Sequence, residues 1–215
     1  MGSPNGSLSS AIADALRASV ISGALKPGER LLEDVIADEH HVSRVPVREA
    51  LRRLEAEGFV TLTPFRGATV AAPSRHDALE LMAVRRGLEV LAARLAAERR
   101  GAGFESELLD AIEQESDAAR RHDVEAMPSI ILRFHELVSR ASGNGQLVEL
   151  LARVLKRISW GFEMDIDERA ASASADHAAI TRAILNGSEV QAGYLMDEHI
   201  AKDEALYRAK ASLDI

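Results

Sequence analysis

From residue 75 onward, apolar residues recur at helical spacing and no stretch alternates them. That pattern restricts the rest of the chain to an all-α arrangement. Breaks fall at Gly101-Ala102-Gly103, at Ser142-Gly143-Asn144-Gly145 and at Asn186-Gly187. The helices are expected at roughly 75–100, 104–122, 124–142, 146–166, 168–186 and 188–212. Six helices joined by short loops predict an antiparallel bundle. Aromatics are only 4% of the residues while Ala, Leu, Glu and Arg abound, a bias that favours helix.

The first 72 residues follow a different rhythm. Ile12, Ala15, Leu16, Ser19 and Val20 predict a first helix, capped by Ser9 or Ser10 and ended by Gly23. Lys26-Pro27-Gly28 reads as a turn. "EDVIADEH" is a short second helix, expected to turn Val35 and Ile36 inward. Ser43 stands at the N-cap of a third helix. Pro46 is its third helical residue, where a missing N–H costs nothing, and Gly58 closes it. "FVTLTPFRGATVAAP" then reads as strand, turn, strand, with Pro64-Phe65-Arg66-Gly67 at the tip. Three helices followed by a hairpin predict a winged helix-turn-helix, so the fold class is mainly α, in two parts.

On a wheel of the third helix, Val47, Ala50, Leu51 and Leu54 form one apolar stripe. Arg44, Arg48 and Arg52 form a second stripe about 100° away, and Arg53 points elsewhere. Such a helix buries one side and presents a row of guanidiniums, as a recognition helix does in a major groove. Guanidinium donates two parallel hydrogen bonds to guanine O6 and N7, or clamps phosphate. Arg66-Gly67 adds a basic tip of the kind that suits a minor groove, and glycine there permits close backbone approach. A solvated helix face with ion pairs such as Glu49–Arg53 accounts for the same residues.

The chain is acidic overall, formally −8, which makes this row conspicuous. The acidity is uneven. Residues 1–73 hold 8 Lys and Arg against 9 Asp and Glu, and the remainder 18 against 25. An anionic partner therefore meets a local patch rather than a basic protein. There is no cysteine, so disulfides and thiolate metal sites are excluded. The opening lacks the basic and apolar regions of a signal peptide, and no apolar run approaches the roughly 20 residues that span a bilayer. A cytoplasmic location without membrane attachment is expected.

"LKPGERLLEDVIADEHHVSRVPVREALRRLEAEGFVTLTPFRGATV" closely resembles the N-terminal domain of GntR-family bacterial transcription regulators. The resemblance runs from about residue 8 to 72 and implies a double-stranded DNA operator as partner. It implies that Ser43, Arg44, Arg48 and, further along, Arg52 meet DNA from the recognition helix, and that Arg66 and Gly67 act in the wing. Two positions depart from the family. His41 stands where glycine often forms the turn, and histidine tolerates a left-handed backbone better than most residues. Asp34 stands where some members carry a DNA-contacting arginine, so that contact is expected to be absent.

In the helical part, His177 lies in the stripe Ala173, Ile180, Ile184. His199 shares a face with Ala192, Leu195, Met196 and Leu206, and His135 borders Ile131, Phe134 and Val138. Three inward histidines on three helices are either satisfied core residues or ligands converging in a bundle interior. Their separations of 42 and 22 residues match no local zinc signature. "VRRGLEVLAARLAAERR", "FHELVSRASGN" and "DHAAITRAILNGSEVQAGYLMDEHI" resemble the FCD effector domain of the FadR-like GntR subgroup, over roughly 76–210. Many members bind a divalent metal, zinc or nickel, through one Asp and three His. The histidines match His135, His177 and His199, but the Asp position, one turn before the first, is Ile131. The resemblance further implies that the pocket senses a small organic acid. Arg85 is the candidate to pair with it, although an ordinary ion pair with Glu89 uses the same side chain. Trp160, Phe162 and Met164 are candidates to line the pocket or the core.

The expected organisation is a flexible leader at 1–7, a winged helix-turn-helix at 8–72, a linker at 73–76 and a helical effector-binding domain at 77–213. The expected function is a ligand-responsive repressor acting as a homodimer on a palindromic operator. The competing reading is a helical metal-dependent enzyme with an accessory winged-helix domain. Against it stand the lack of an HExxH motif, of paired catalytic carboxylates and of a nucleophile-base set. An interaction scaffold leaves the arginine row unexplained.

Overall fold

The computed structural model describes the backbone of residues 4–72, 75–161 and 166–211, and the side chains of residues 8–72, 76–158 and 173–209. The chain divides into two compact units, Met1–Ser74 and Arg75–Ile215. Pro73 and Ser74 of the expected linker, and the side chains of Trp160, Phe162 and Met164, lie outside the described residues.

The first unit contains helices α1 (Pro4–Ile21), α2 (Glu33–Glu39) and α3 (Arg44–Ala56) and strands β1 (Arg30–Leu31), β2 (Val60–Thr63) and β3 (Gly67–Val70). Helix α1 packs on α3, burying Ile12, Leu16 and Val20 against Val47, Leu51 and Leu54. It begins at Pro4, so Ser9 and Ser10 lie inside the helix rather than capping it. The strands form one sheet in the order β1-β3-β2. Val60 pairs with Val70 and Leu62 with Ala68, while Arg30 pairs with Thr69 on the other side of β3. Val60, Ala68 and Val70 face the core. Strand β1 has only two residues, too few for alternation to announce it in the sequence. Of the two α2 residues expected inward, Ile36 is buried and Val35 is exposed. A helix of seven residues has room for only a narrow buried face.

The α2–α3 turn has a definite chemistry. His41 adopts φ 54. Its N–H donates to the Asp38 carbonyl (3.2 Å), and that of Val42 to the Ala37 carbonyl (2.9 Å). These two bonds are the Schellman pair that ends a helix, with His41 in the left-handed position usually given to glycine. Gly58 does the same work after α3 with φ 82, where Phe59 N–H reaches the Leu54 carbonyl.

The second unit holds α4 (Arg75–Glu98), α5 (Glu105–Arg121), α6 (Met127–Ala141), α7 (Gly145–Gly161), α8 (Ile166–Leu185) and α9 (Glu189–Ala211). Helix α4 packs against α6, α7, α8 and, most extensively, α9. Its ridge of buried alanines, Ala92, Ala93, Ala96 and Ala97, permits close approach. So does Gly193 on α9, where a Cβ would fall 2.7 Å from the Arg94 side chain. Phe134, Leu151, Ile180, Ile184 and Met196 fill the centre, each burial stabilising the fold by about 1.5–3 kcal/mol. Helix α6 starts three residues later than the pattern suggests. His122 leaves α5 with φ 53, and Asp123 folds the next residues into a turn by accepting a bond from Ala126 N–H. No helix among the described residues is long and apolar enough to cross a membrane.

Candidate functional sites: an arginine face and a three-histidine centre

Helix α3 buries Val47, Ala50, Leu51 and Leu54, leaving Ser43, Arg44, Arg48 and Arg52 exposed on its other side. Ser43 occupies the N-cap position, but its hydroxyl makes no capping bond. The expected Glu49–Arg53 pair is replaced: Arg53 instead donates to Glu57 (3.1 Å) and to Ser10 Oγ (2.8 Å) on α1. Two of the other arginines reach α2. Arg44 pairs with Asp34, and Arg48 Nε donates to Glu33 Oε2 at 2.7 Å. Exposed pairs of this kind contribute about 0–1 kcal/mol. They orient the guanidiniums without locking them. Arg66 and Gly67 stand exposed at the hairpin tip, where the Arg66 carbonyl accepts from Arg30 Nη2 at 2.8 Å. Phe65 beside them is fully exposed with φ 63, an aromatic held outward at a turn.

In the second unit, His135 (α6), His177 (α8) and His199 (α9) are all buried, and one ring nitrogen of each lies within 4.8 Å of the others. Each Nδ1 faces a carboxylate from a different helix. His135 meets Glu89 of α4, His177 meets Glu115 of α5 at 2.7 Å, and His199 meets Asp176 of α8 at 3.3 Å. A carboxylate only accepts, so it fixes the ring proton on Nδ1 and leaves Nε2 as a lone pair. The Nε2 atoms of His177 and His199 then face each other at 3.1 Å. A tetrahedral ion held at 2.0–2.1 Å by each nitrogen separates them by about 3.3 Å.

Arg85 completes the cluster. Its Nε donates to Glu89 Oε1 at 2.5 Å, Nη1 to Asp203 Oδ2 at 3.2 Å, and Nη2 to His135 Nε2 at 3.1 Å. Arg85 is thus paired with Glu89, as the ion-pair reading expects, and it also borders His135 Nε2. Burial pushes the Glu89 carboxyl up, but His135 and Arg85 outweigh it and hold it well below the usual carboxylate range. Burial keeps the His177 and His199 rings neutral, lowering His199 to about 3 and His177 below its ordinary value. Two facing lone pairs on neutral rings repel unless a cation lies between them. Among the described residues, the buried carboxylates Glu89, Glu115 and Asp203 outnumber the buried guanidinium of Arg85 in this cluster, and Glu115 Oε1 has no hydrogen-bond partner. The donor set thus fits a divalent ion. Ile131, one turn before His135, is half-buried hydrocarbon and offers no ligand atom.

Sequence reasoning found the three rings and Arg85 but missed Glu115, Asp176 and Asp203. One signal was available. Glu115 sits in the apolar stripe Leu108, Ala111, Ala118 of α5, where an acid requires a buried partner.

Comparison with known proteins follows the same division. The model for bacterial regulatory proteins of the gntR family matches residues 8–70, and that for the FCD domain matches residues 80–202. The chain is 30% identical over 182 residues to the Nta operon transcriptional regulator of Aminobacter aminovorans, covering 85% of this chain and 86% of that relative. It is 28% identical over 155 residues to the transcriptional regulator McbR of Escherichia coli K12, covering 72% and 70%. The solved structure of E. coli McbR/YncC superposes with a TM-score of 0.79 at 23% identity, over 98% of this chain and 100% of that one. A GntR transcriptional regulator from Rhodococcus sp. RHA1 gives 0.77 at 24%, over 94% and 98%. At those identities the structures show the shared fold. The sequence relatives are transcriptional regulators, not enzymes.

Proposed function

The chain belongs to the gntR family of bacterial regulatory proteins and carries an FCD domain, and on that premise we propose that it is a ligand-responsive repressor. It binds a palindromic operator as a homodimer and senses a small organic acid in the helical unit. In this reading the first unit reads DNA. Arg44, Arg48 and Arg52, with Ser43 at the helix start, lie along the major groove. Arg66 and Gly67 meet the minor groove, where the exposed Phe65 suits an apolar contact.

The observation that carries the sensory half is the buried cluster of His135, His177 and His199 with a guanidinium at its edge. The three Nε2 atoms would hold zinc or nickel, which supplies a Lewis-acid anchor for a carboxylate oxygen. Glu89, Glu115 and Asp176 hold the rings in the ligating tautomer. Arg85 offers two Nη groups to the acid's remaining charge. An acid that binds one arrangement of the helices better than another shifts the population, and with it the placement of the two DNA-reading heads.

The test is selection of bound fragments from the host genome, followed by binding measurements on the selected site with and without organic acids. Recovery of a palindrome whose affinity changes with one acid supports the reading. Uniform recovery of unrelated fragments, unaffected by any acid, contradicts it.

A further inference from the structure

Three imidazoles leave a tetrahedral or larger coordination shell incomplete, and Ile131 supplies nothing. The carboxylates around the cluster are not equivalent. Glu89, Glu115 and Asp176 sit on the Nδ1 side of their rings, facing away from the point where the Nε2 atoms converge. Asp203 sits on the other side. Its Oδ2 lies 3.9 Å from His199 Nε2 and 3.2 Å from Arg85 Nη1, and the residue is only 6% exposed. It follows His199 by one turn of α9, so the two side chains share a face of one helix. A carboxylate one turn from a ligand histidine is thus available on α9.

We propose that Asp203 is the carboxylate ligand of this centre, taking the role that Ile131 cannot fill. The inference rests on the metal reading above. The charges support it: among the described residues the buried acids Glu89, Glu115 and Asp203 exceed the buried guanidinium of Arg85, an excess that a divalent cation offsets. It also has a consequence for Arg85. Once Asp203 and the His135 Nε2 turn to a cation, Nη1 and Nη2 lose their present partners while Nε keeps Glu89. The guanidinium then stands ready for an incoming carboxylate. Asp203 therefore couples cation binding to the readiness of Arg85.

The chain has no cysteine, which permits a direct probe. The full chain is stripped with a chelator and titrated with Co²⁺, following the visible d–d bands. Wild type is expected to bind one equivalent, and Asp203→Asn to bind at least about tenfold more weakly. Asp203→Cys places a thiol at the position, and a near-ultraviolet thiolate-to-cobalt charge-transfer band is expected on loading. Ile131→Asp added to Asp203→Asn is expected to restore affinity. Cobalt bound by Asp203→Cys without that band, or with unchanged affinity in Asp203→Asn, overturns Asp203 as a ligand while leaving the metal reading intact. No Co²⁺ bound by wild type overturns both. If Asp203→Asn fails to fold, as judged by circular dichroism, the Asp203→Cys spectrum decides.

Discussion

The Nε2 atoms of His177 and His199 lie 3.1 Å apart, and each ring turns its Nδ1 to a buried or half-buried carboxylate. A pair of hydrophobic core histidines has no reason to adopt this arrangement. Two acceptors placed face to face want something positive between them. The purified protein is therefore expected to carry about one equivalent of divalent metal, and His177→Ala to carry little. Elemental analysis of both checks it; equal, near-zero metal in the two proteins would leave the rings as core residues. Chelation should also lower the unfolding temperature. A ligand bound only by the native state at 100 times its Kd stabilises by about 2.7 kcal/mol.

The same burial fixes a pH dependence for the metal-stripped protein. His199 is lowered to about 3 and His177 is lowered too, chiefly by burial. Unfolded imidazoles titrate near 6.5. Between those values the unfolded state binds more protons, so stability is fully present above about pH 6.5 and falls as the pH falls toward 3. For His199 alone the loss between pH 7.5 and pH 5 is about 2 kcal/mol. Urea unfolding at the two pH values measures it. A stability that rises on acidification would contradict the neutral-ring assignment.

His41 holds φ 54 at a helix end where glycine is at ease. The left-handed conformation costs a side-chain-bearing residue roughly 1–2 kcal/mol, less for histidine than for most. His41→Gly is expected to stabilise the α2–α3 turn by about 1 kcal/mol, slowing native-state hydrogen exchange of α3 amides about fivefold. Faster exchange would mean that the imidazole itself supports the turn.

The arrangement of elements was legible because it rests on local signals. The helical periodicity, the glycine breaks and the hairpin residues of 59–70 each act within a few positions. So was the left-handed turn at His41, through the resemblance that often places glycine there. The two-residue strand β1 was not, because its pairing with β3 is decided about 40 residues away. Nor were the ion pairs of α3. Wheel geometry offered Glu49 to Arg53, whereas Glu57 and the distant Ser10 took it. For the histidine centre, the wheel located the inward rings of α6, α8 and α9. The carboxylates that orient them come in each case from another helix. Which acid meets which ring depends on how six helices are rotated in the bundle, and no spacing along the chain encodes that.

The central claim is that the arginine row of α3 reads DNA, and Arg48 stands in its middle, held by an exposed bond to Glu33. Fluorescence anisotropy at one fixed salt concentration, on a genome-selected fragment and on variants of it, measures the claim directly. Arg48→Ala is expected to weaken binding by about 1–3 kcal/mol, roughly 5- to 150-fold, and to relax the preference at one base position. Unchanged affinity and unchanged preference in that variant would remove α3 from the DNA interface.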